Sequence, residues 1–338
     1  MARPTEASAA EARSPERAIA GHAARLVSAF NLLGLVLASI LLYAYFTWRL
    51  PGTFLTRPNI ETIAVQATSV SLAALGMTLI IIAGAIDLSI GSTVALVTTV
   101  IALALKNHDT WFALCMGVGA GTAAGLVNGL VVTRLKVMPF IVTLGTMQMF
   151  RGIARGLGHD NTVEAPTTWL NGLLTAVGKD QQWKLFPPGV WFMAVMAIAV
   201  GVLLRRTVFG RNIVALGSNE TASRMCGVNV RGVMLWVFVL GGFFTGLAGL
   251  MQYSRLTVGD PTGSIGLELD VIAAVVIGGA SLSGGQGSIL GALIGAIFMT
   301  TMGNGFAQIG LSEWVQYIVK GGIIVIAVAL DRLRAKAA

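Results

Sequence analysis

Apolar runs long enough to cross a bilayer recur along almost the whole chain, and they leave little choice of fold. Ten can be drawn, near residues 27–48, 60–83, 87–105, 111–133, 138–156, 188–204, 233–253, 269–282, 288–306 and 313–330. A span needs about 20 predominantly apolar residues. These runs are continuous, whereas a membrane β-barrel alternates apolar and polar positions. A soluble core does not explain them either. Only 11% of the residues are charged, against about 25% in a soluble domain, whose surface needs them. The expectation is an all-α, polytopic membrane protein with about ten transmembrane helices. The eighth run is short, and a broken or re-entrant pairing with the ninth is expected.

Basic residues orient the spans. Fourteen of the 23 Lys and Arg lie at the two termini or in alternate loops, chiefly 134–136 and 205–231. Positive charge collects on the cytoplasmic side, so both termini are expected there. The net charge of +8 then reflects loop bias, and no nucleic acid is expected as a partner. Residues 1–25 read as a disordered tail. The run behind them is too long for a signal peptide and reads as an uncleaved anchor. The membrane domain takes 26–332, and 333–338 form a short cytoplasmic tail. The longest inner loop is 205–231. The longest outer loop, 158–188, holds "TTWLNGLLTAVG", expected as a short helix with Trp169 at the interface.

Catalytic chemistry has almost no support. No G-x-x-x-x-G-K-[ST] loop occurs, so ATP cannot be hydrolysed by that route. No H-E-x-x-H occurs, and His22, His108 and His159 all fall in the tail or loops. Cys115 and Cys226 are far apart and suggest no disulfide or zinc site. No metal and no cofactor is expected in this chain.

Glycine is abundant and patterned. Gly117, Gly121, Gly125 and Gly129 fall on one helical face, as do Gly242 and Gly246, and Gly287, Gly291 and Gly295. Such stripes let helices approach closely. "AGAIDLSIGS" at 83–92 also faintly echoes "GGASLSGGQGS" at 278–288, which fits a duplication without demonstrating one.

Ionisable groups within spans are the informative ones, because a charge at the bilayer centre costs about 2.5–3.5 kcal/mol on insertion scales. They are Asp87, Arg151, Asp270 and Lys320, with Glu61 and Glu268 nearer span ends. Asp87 has three readings: a loop carboxylate capping the next helix, a residue lining a solute path, or the partner of a cation such as Lys320 or Arg151. Lys320 also reads as a snorkelling side chain. Ser89, Ser92, Asn128, Thr143, Thr146, Gln148 and Asn304 are uncharged polar groups that either bond helices together or line a path. In the inner loop, "GSNETASRMCG" from Gly217 reads as a small capped helix. Ser218 is expected to cap it, beside Asn219. Glu220 suits its positive start, Arg224 its negative end and Gly227 a left-handed exit.

Four stretches carry a resemblance: "GMTLIIIAGAIDLSIGS", "VNGLVVTRLKVMPFIVTLGTMQMFRGIA", "FGRNIVALGSNETASRMCGV" and "SIGLELDVIAAVVIGGASLSGGQGSILGALIGA". With them the chain resembles the permease subunits of bacterial ABC importers for monosaccharides of the ribose, xylose, arabinose and galactose type. Ala85 and Ile90 depart from that family's usual Gly-Ile-Asp-Leu-Ser-Val-Gly, and Thr221, Ala222 and Ser223 stand where it often has Glu-Ala-Ala. The resemblance implies a permease in the bacterial inner membrane, working with a second permease copy or a paralogue. It also implies cytoplasmic ABC ATPase subunits that bind the ATP, and an external or periplasmic sugar-binding protein. Loop 205–231 would then couple to the ATPase, and Asp87 would lie in a glycine-hinged break beside the translocation route. The competing expectation is a stand-alone, ion-coupled carrier of a small polar solute.

Overall fold

The computed structural model describes residues 15–177 and 184–337, with side chains from 32 to 329 outside that gap. The chain is mostly helical. In order the helices are α1 (Pro15–Arg49), α2 (Arg57–Ile82), α3 (Ile90–Leu105), α4 (Thr110–Leu135), α5 (Pro139–Gly158), α6 (Pro188–Arg206), α7 (Val208–Ser218), α8 (Glu220–Met225), α9 (Val230–Leu256), α10 (Leu267–Ile277), α11 (Ile289–Gln308) and α12 (Glu313–Ala337). A two-stranded antiparallel ladder, β1 (Val163–Glu164) with β2 (Val258–Gly259), ties loop 158–188 to the segment after α9. Proline at N1 or N2 opens α2, α5 and α6, where its missing N–H costs nothing.

Each of the ten apolar runs carries a helix, and α7 and α8 occupy the basic loop. Among the described residues, six helices are long and apolar enough to cross a membrane: α1, α2, α4, α6, α9 and α11. The helix of the eighth run is the shortest of the ten, as the length of that run announced. Helix α10 has 11 residues, about 16 Å at 1.5 Å per residue, roughly half a hydrocarbon core. The segment before it makes up the difference. Gly259 packs on Thr98, Thr99 and Ala102 near the far end of α3, while Ser264 and Glu268 lie against Gly91 in its first turn. The chain thus descends beside α3 before α10 begins.

Two expectations change. Residues 15–25, expected as a disordered tail, are helical, because they belong to α1. Residues 333–337, expected as a short tail, continue α12. Hydropathy marks only the apolar part of a helix, and Ala and Arg extend it readily. Among the described residues, loop 158–188 holds one 3₁₀ turn, Asn171–Leu173, and the end of "TTWLNGLLTAVG" lies outside them. There the Asn171 side chain accepts from the Thr168 N–H at 2.7 Å, a local bond that competes with helix propagation.

Helix α2 is the hub. Its most apolar window is 89% buried, against 11% for α1 and 17% for α6, so α1 and α6 face outward. Helix α9 packs on α2, α3 and α4. Its contact with α4 is built on the glycine stripes: a Cβ at Gly121 would stand 2.5 Å from Gly246 Cα, and one at Gly125 2.8 Å from Gly242 Cα. Those backbones touch because no side chain separates them.

Candidate functional site

The acid at position 87 sits in the break between α2 and α3. Helix α2 ends in a Schellman turn: Gly84 has φ +85°, its N–H bonds the Ile81 carbonyl, and the Ala85 N–H bonds Ile80. Only glycine adopts that backbone without strain. Beyond it, Asp87 is 3% exposed. Its Oδ1 accepts from the Ser89 N–H at 2.8 Å and from the Ser89 hydroxyl at 2.6 Å. This is an Asx-type turn that launches α3.

The turn fastens two further helices. Asn128 on α4 donates Nδ2 to the Ser89 hydroxyl at 2.9 Å, and Thr143 on α5 donates to the Ile86 carbonyl at 3.2 Å. Ser92 bonds back to the Ser89 carbonyl and Thr146 to Thr143. Six of the sequence candidates therefore form one buried network. Among the described groups, Asn128 Oδ1 alone in this network is buried without a partner. Gln148 stands apart, exposed on α5.

Pairing of Asp87 with Lys320 or Arg151 is overturned. Lys320 Nζ bonds Asp270 Oδ2 at 2.8 Å, joining α12 to α10. Arg151 donates to the Pro261 and Gly263 carbonyls and lies in the field of Glu268 and Asp260, so it holds the descending segment against α5. Sequence spacing could not choose among these partners, because α10 and α12 meet only in the folded bundle. Asp87→Asn keeps an oxygen for both Ser89 donors and is expected to alter stability by less than about 1 kcal/mol. Asp87→Leu strands those donors, at about 1–3 kcal/mol each. Thermal unfolding in detergent checks this, and equal melting of the two variants would discard the turn.

The Lys320–Asp270 pair borders a polar cavity of about 550 Å³ between α2, α9, α10, α11 and α12. Its lining includes Gln66 and Ser69 from α2, Gln252 and Arg255 from α9, Thr300 and Asn304 from α11, and Glu313 and Gln316 from α12. Asn304 is the one uncharged path candidate here, held by Gln308, which also bonds Asn59. The Ser69 hydroxyl is buried and has no partner. Sequence reasoning missed Gln66, Ser69, Gln252, Arg255, Thr300 and Gln316. The signal was present: 66/69, 252/255, 300/304 and 316/320 are polar pairs three or four residues apart on apolar helices, hence on one face.

In loop 205–231, α8 is the short helix expected, but its cap is Asn219, not Ser218. Asn219 Oδ1 accepts from the Ala222 N–H at 2.9 Å. Ser218 ends α7 and bonds back to the Val214 carbonyl. Both residue types cap well; the end of α7, which a sequence window cannot locate, settled which one did. Glu220 and Arg224 lie one turn apart and pair at 2.6 Å, both exposed. Gly227 leaves α8 with φ +83°.

Comparison with known proteins adds the following. Residues 59–328 match the family model described as branched-chain amino acid transport system / permease component. The L-arabinose ABC transporter permease protein AraH of Azospirillum brasilense is 36% identical over 324 residues, covering 95% of this chain and 94% of that one. The ribose import permease protein RbsC of Escherichia coli K12 is 37% identical over 283 residues, with 83% and 88% covered. The ribose import permease of Bacillus subtilis 168 is similar at 37% over 289 residues, covering 83% and 86%. A solved structure titled "An inward-facing conformation of a putative metal-chelate type ABC transporter" aligns with TM-score 0.52, 15% identity, and coverage of 88% of this chain and 98% of that one. At that identity the likeness is one of fold.

Proposed function

Because this chain belongs to the family described as branched-chain amino acid transport system / permease component, we propose that it is the membrane-spanning permease of an ATP-driven importer that passes a monosaccharide to the cytoplasm. The observation that carries the substrate class is the cavity. Its amides and hydroxyls suit the donors and acceptors of a polyol. Its charged groups, Arg255 and Lys320 against Asp270 and Glu313, balance to zero, which suits a neutral solute. The named arabinose and ribose permeases support the same reading.

In this reading the ten apolar-run helices all lie in the membrane, with both termini and loop 205–231 cytoplasmic. Helix α8 faces an ABC ATPase subunit that binds the ATP. A sugar-binding protein delivers substrate outside, and a second permease copy or a paralogue completes the path in the bacterial inner membrane. The chain itself is a transport subunit and not an enzyme.

Proteoliposomes holding the permease, an ABC ATPase subunit and a sugar-binding protein test the function. ATP-dependent accumulation of labelled arabinose or ribose, indifferent to an ionophore, is expected. Uptake driven by an ion gradient without ATP would instead support a stand-alone carrier. Topology has its own check: in a background lacking Cys115 and Cys226, Ser218→Cys is expected to react with an impermeant thiol reagent in inverted vesicles only. Labelling in intact spheroplasts would overturn the orientation.

A further inference from the structure

Three backbone segments from distant parts of the chain meet just ahead of α8. Gly217 is the next-to-last residue of α7. A Cβ there would land on the Ile82 carbonyl, at the end of α2, and stand 2.6 Å from the Gly285 nitrogen. The Gly285 N–H bonds that same Ile82 carbonyl at 2.8 Å. A Cβ at Gly284 would stand 2.7 Å from the Gly217 carbonyl oxygen and 3.0 Å from Gly84 Cα. The contact exists only because these positions lack side chains.

The two breaks that meet here share one backbone device. At Gly84 (φ +85°) and Gly279 (φ +91°) the helix exits left-handed. In each case the next N–H reaches back five residues, from Ala85 to Ile80 and from Ala280 to Val275. The faint sequence echo between 83–92 and 278–288 is thus a repeated turn geometry. Gly217 touches the first turn at Ile82 and Gly84, and the stretch after the second at Gly284 and Gly285; two residues later Asn219 caps α8. At the far end of α8, Gly227 has nothing within 4 Å of where a Cβ would stand.

We propose that Gly217 is a positioning residue that ties both breaks to α8, so that a displacement of α8 carries 83–89 and 278–288 together. This rests on the reading of loop 205–231 as the ATPase-facing surface, and it adds where the displacement enters the membrane domain. Backbone pressed on backbone has no rotamers with which to absorb a shift. Close-packed contacts of that kind transmit displacement and change between discrete arrangements. A Cβ at Gly227, at the opposite end of α8, would meet nothing within 4 Å, whereas one at Gly217 would meet both breaks.

The test uses the reconstituted complex of permease, ATPase subunits and binding protein. Gly217 lies in a helix with ordinary backbone angles, so Gly217→Ala adds a methyl at the junction and no φ strain. The ATPase is expected to co-purify and hydrolyse ATP, while sugar moved per ATP falls at least about tenfold, the scale of a coupling energy near 1.4 kcal/mol. Gly201→Ala adds the same methyl on α6, outside loop 205–231, where nothing lies within 4 Å of the Cβ position, and its sugar-to-ATP ratio is expected to match wild type. An unchanged ratio for Gly217→Ala, with wild type coupled, overturns the proposal alone. Failure of the wild-type chain to bind any ATPase overturns the underlying reading as well.

If Gly217→Ala does not assemble, the junction is measured with Gly217 intact. Spin labels on Thr221→Cys and Ser283→Cys, both exposed positions, are placed in a background with Cys115→Ser and Cys226→Ser. Their separation is expected to stay constant within about 2 Å between nucleotide-free and ATP-bound states. A change of about 5 Å, one helical turn of sliding, overturns the proposal.

Discussion

Lys320→Met is expected to destabilise the folded protein by about 3 kcal/mol, the lower end of the range for stranding one partner of a buried ion pair. The lower end applies because 23% of the Lys320 side chain and 22% of the Asp270 side chain remain exposed. The cost comes from the survivor: Asp270 would keep its charge beside the polar cavity with no counter-ion. Asp270→Leu is expected to cost a similar amount by leaving the ammonium group alone. The double variant Asp270→Leu/Lys320→Met leaves no lone charge and is expected to recover most of the loss, the signature of a coupled pair. Chemical denaturation of the purified protein in detergent reads all three. Strict additivity of the single changes would show that the pair contributes nothing. Uptake separates structure from transport: a stable double variant with lowered uptake gives the pair a part in the path.

Gly125→Leu is expected to be at least as damaging. Overpacking a core costs about 1–3 kcal/mol where neighbours can move aside. Here a Cβ already meets the Phe238 carbonyl and the Gly242 backbone, which cannot rotate away. Helices α4 and α9 would have to separate, and with them the network of Asn128 and the hub packing around α2. The expected result is near-complete loss of folded protein from the membrane fraction. Gly119→Leu is the matched control on the same helix. Nothing lies within 4 Å of its Cβ position, so it is expected to accumulate normally. Equal loss from both variants would point to helix α4 itself and away from the α4–α9 contact.

The apolar runs, the charge deficit and the glycine stripes determined, from sequence alone, that this chain is a helical membrane protein with closely packed helices. Those signals are local and repetitive, so they survive without knowledge of partners. The cluster around Asp87 was also readable, because Gly84 and Ser89 lie within one short break and Ser92 in the first turn after it. The end of α7, the cap by Asn219 and the helical structure of residues 15–25 were not, since element boundaries depend on bonds formed a few residues away. Only the tertiary structure gave Lys320 to Asp270 and Arg151 to the carbonyls of Pro261 and Gly263. It alone gathered Gln66, Ser69, Gln252, Thr300 and Gln316 around one cavity and brought Gly217 onto both breaks. The physical reason is the same in each case. A charge, an amide or a bare glycine advertises what it needs, but the helix that satisfies it is chosen by packing among segments far apart in the chain.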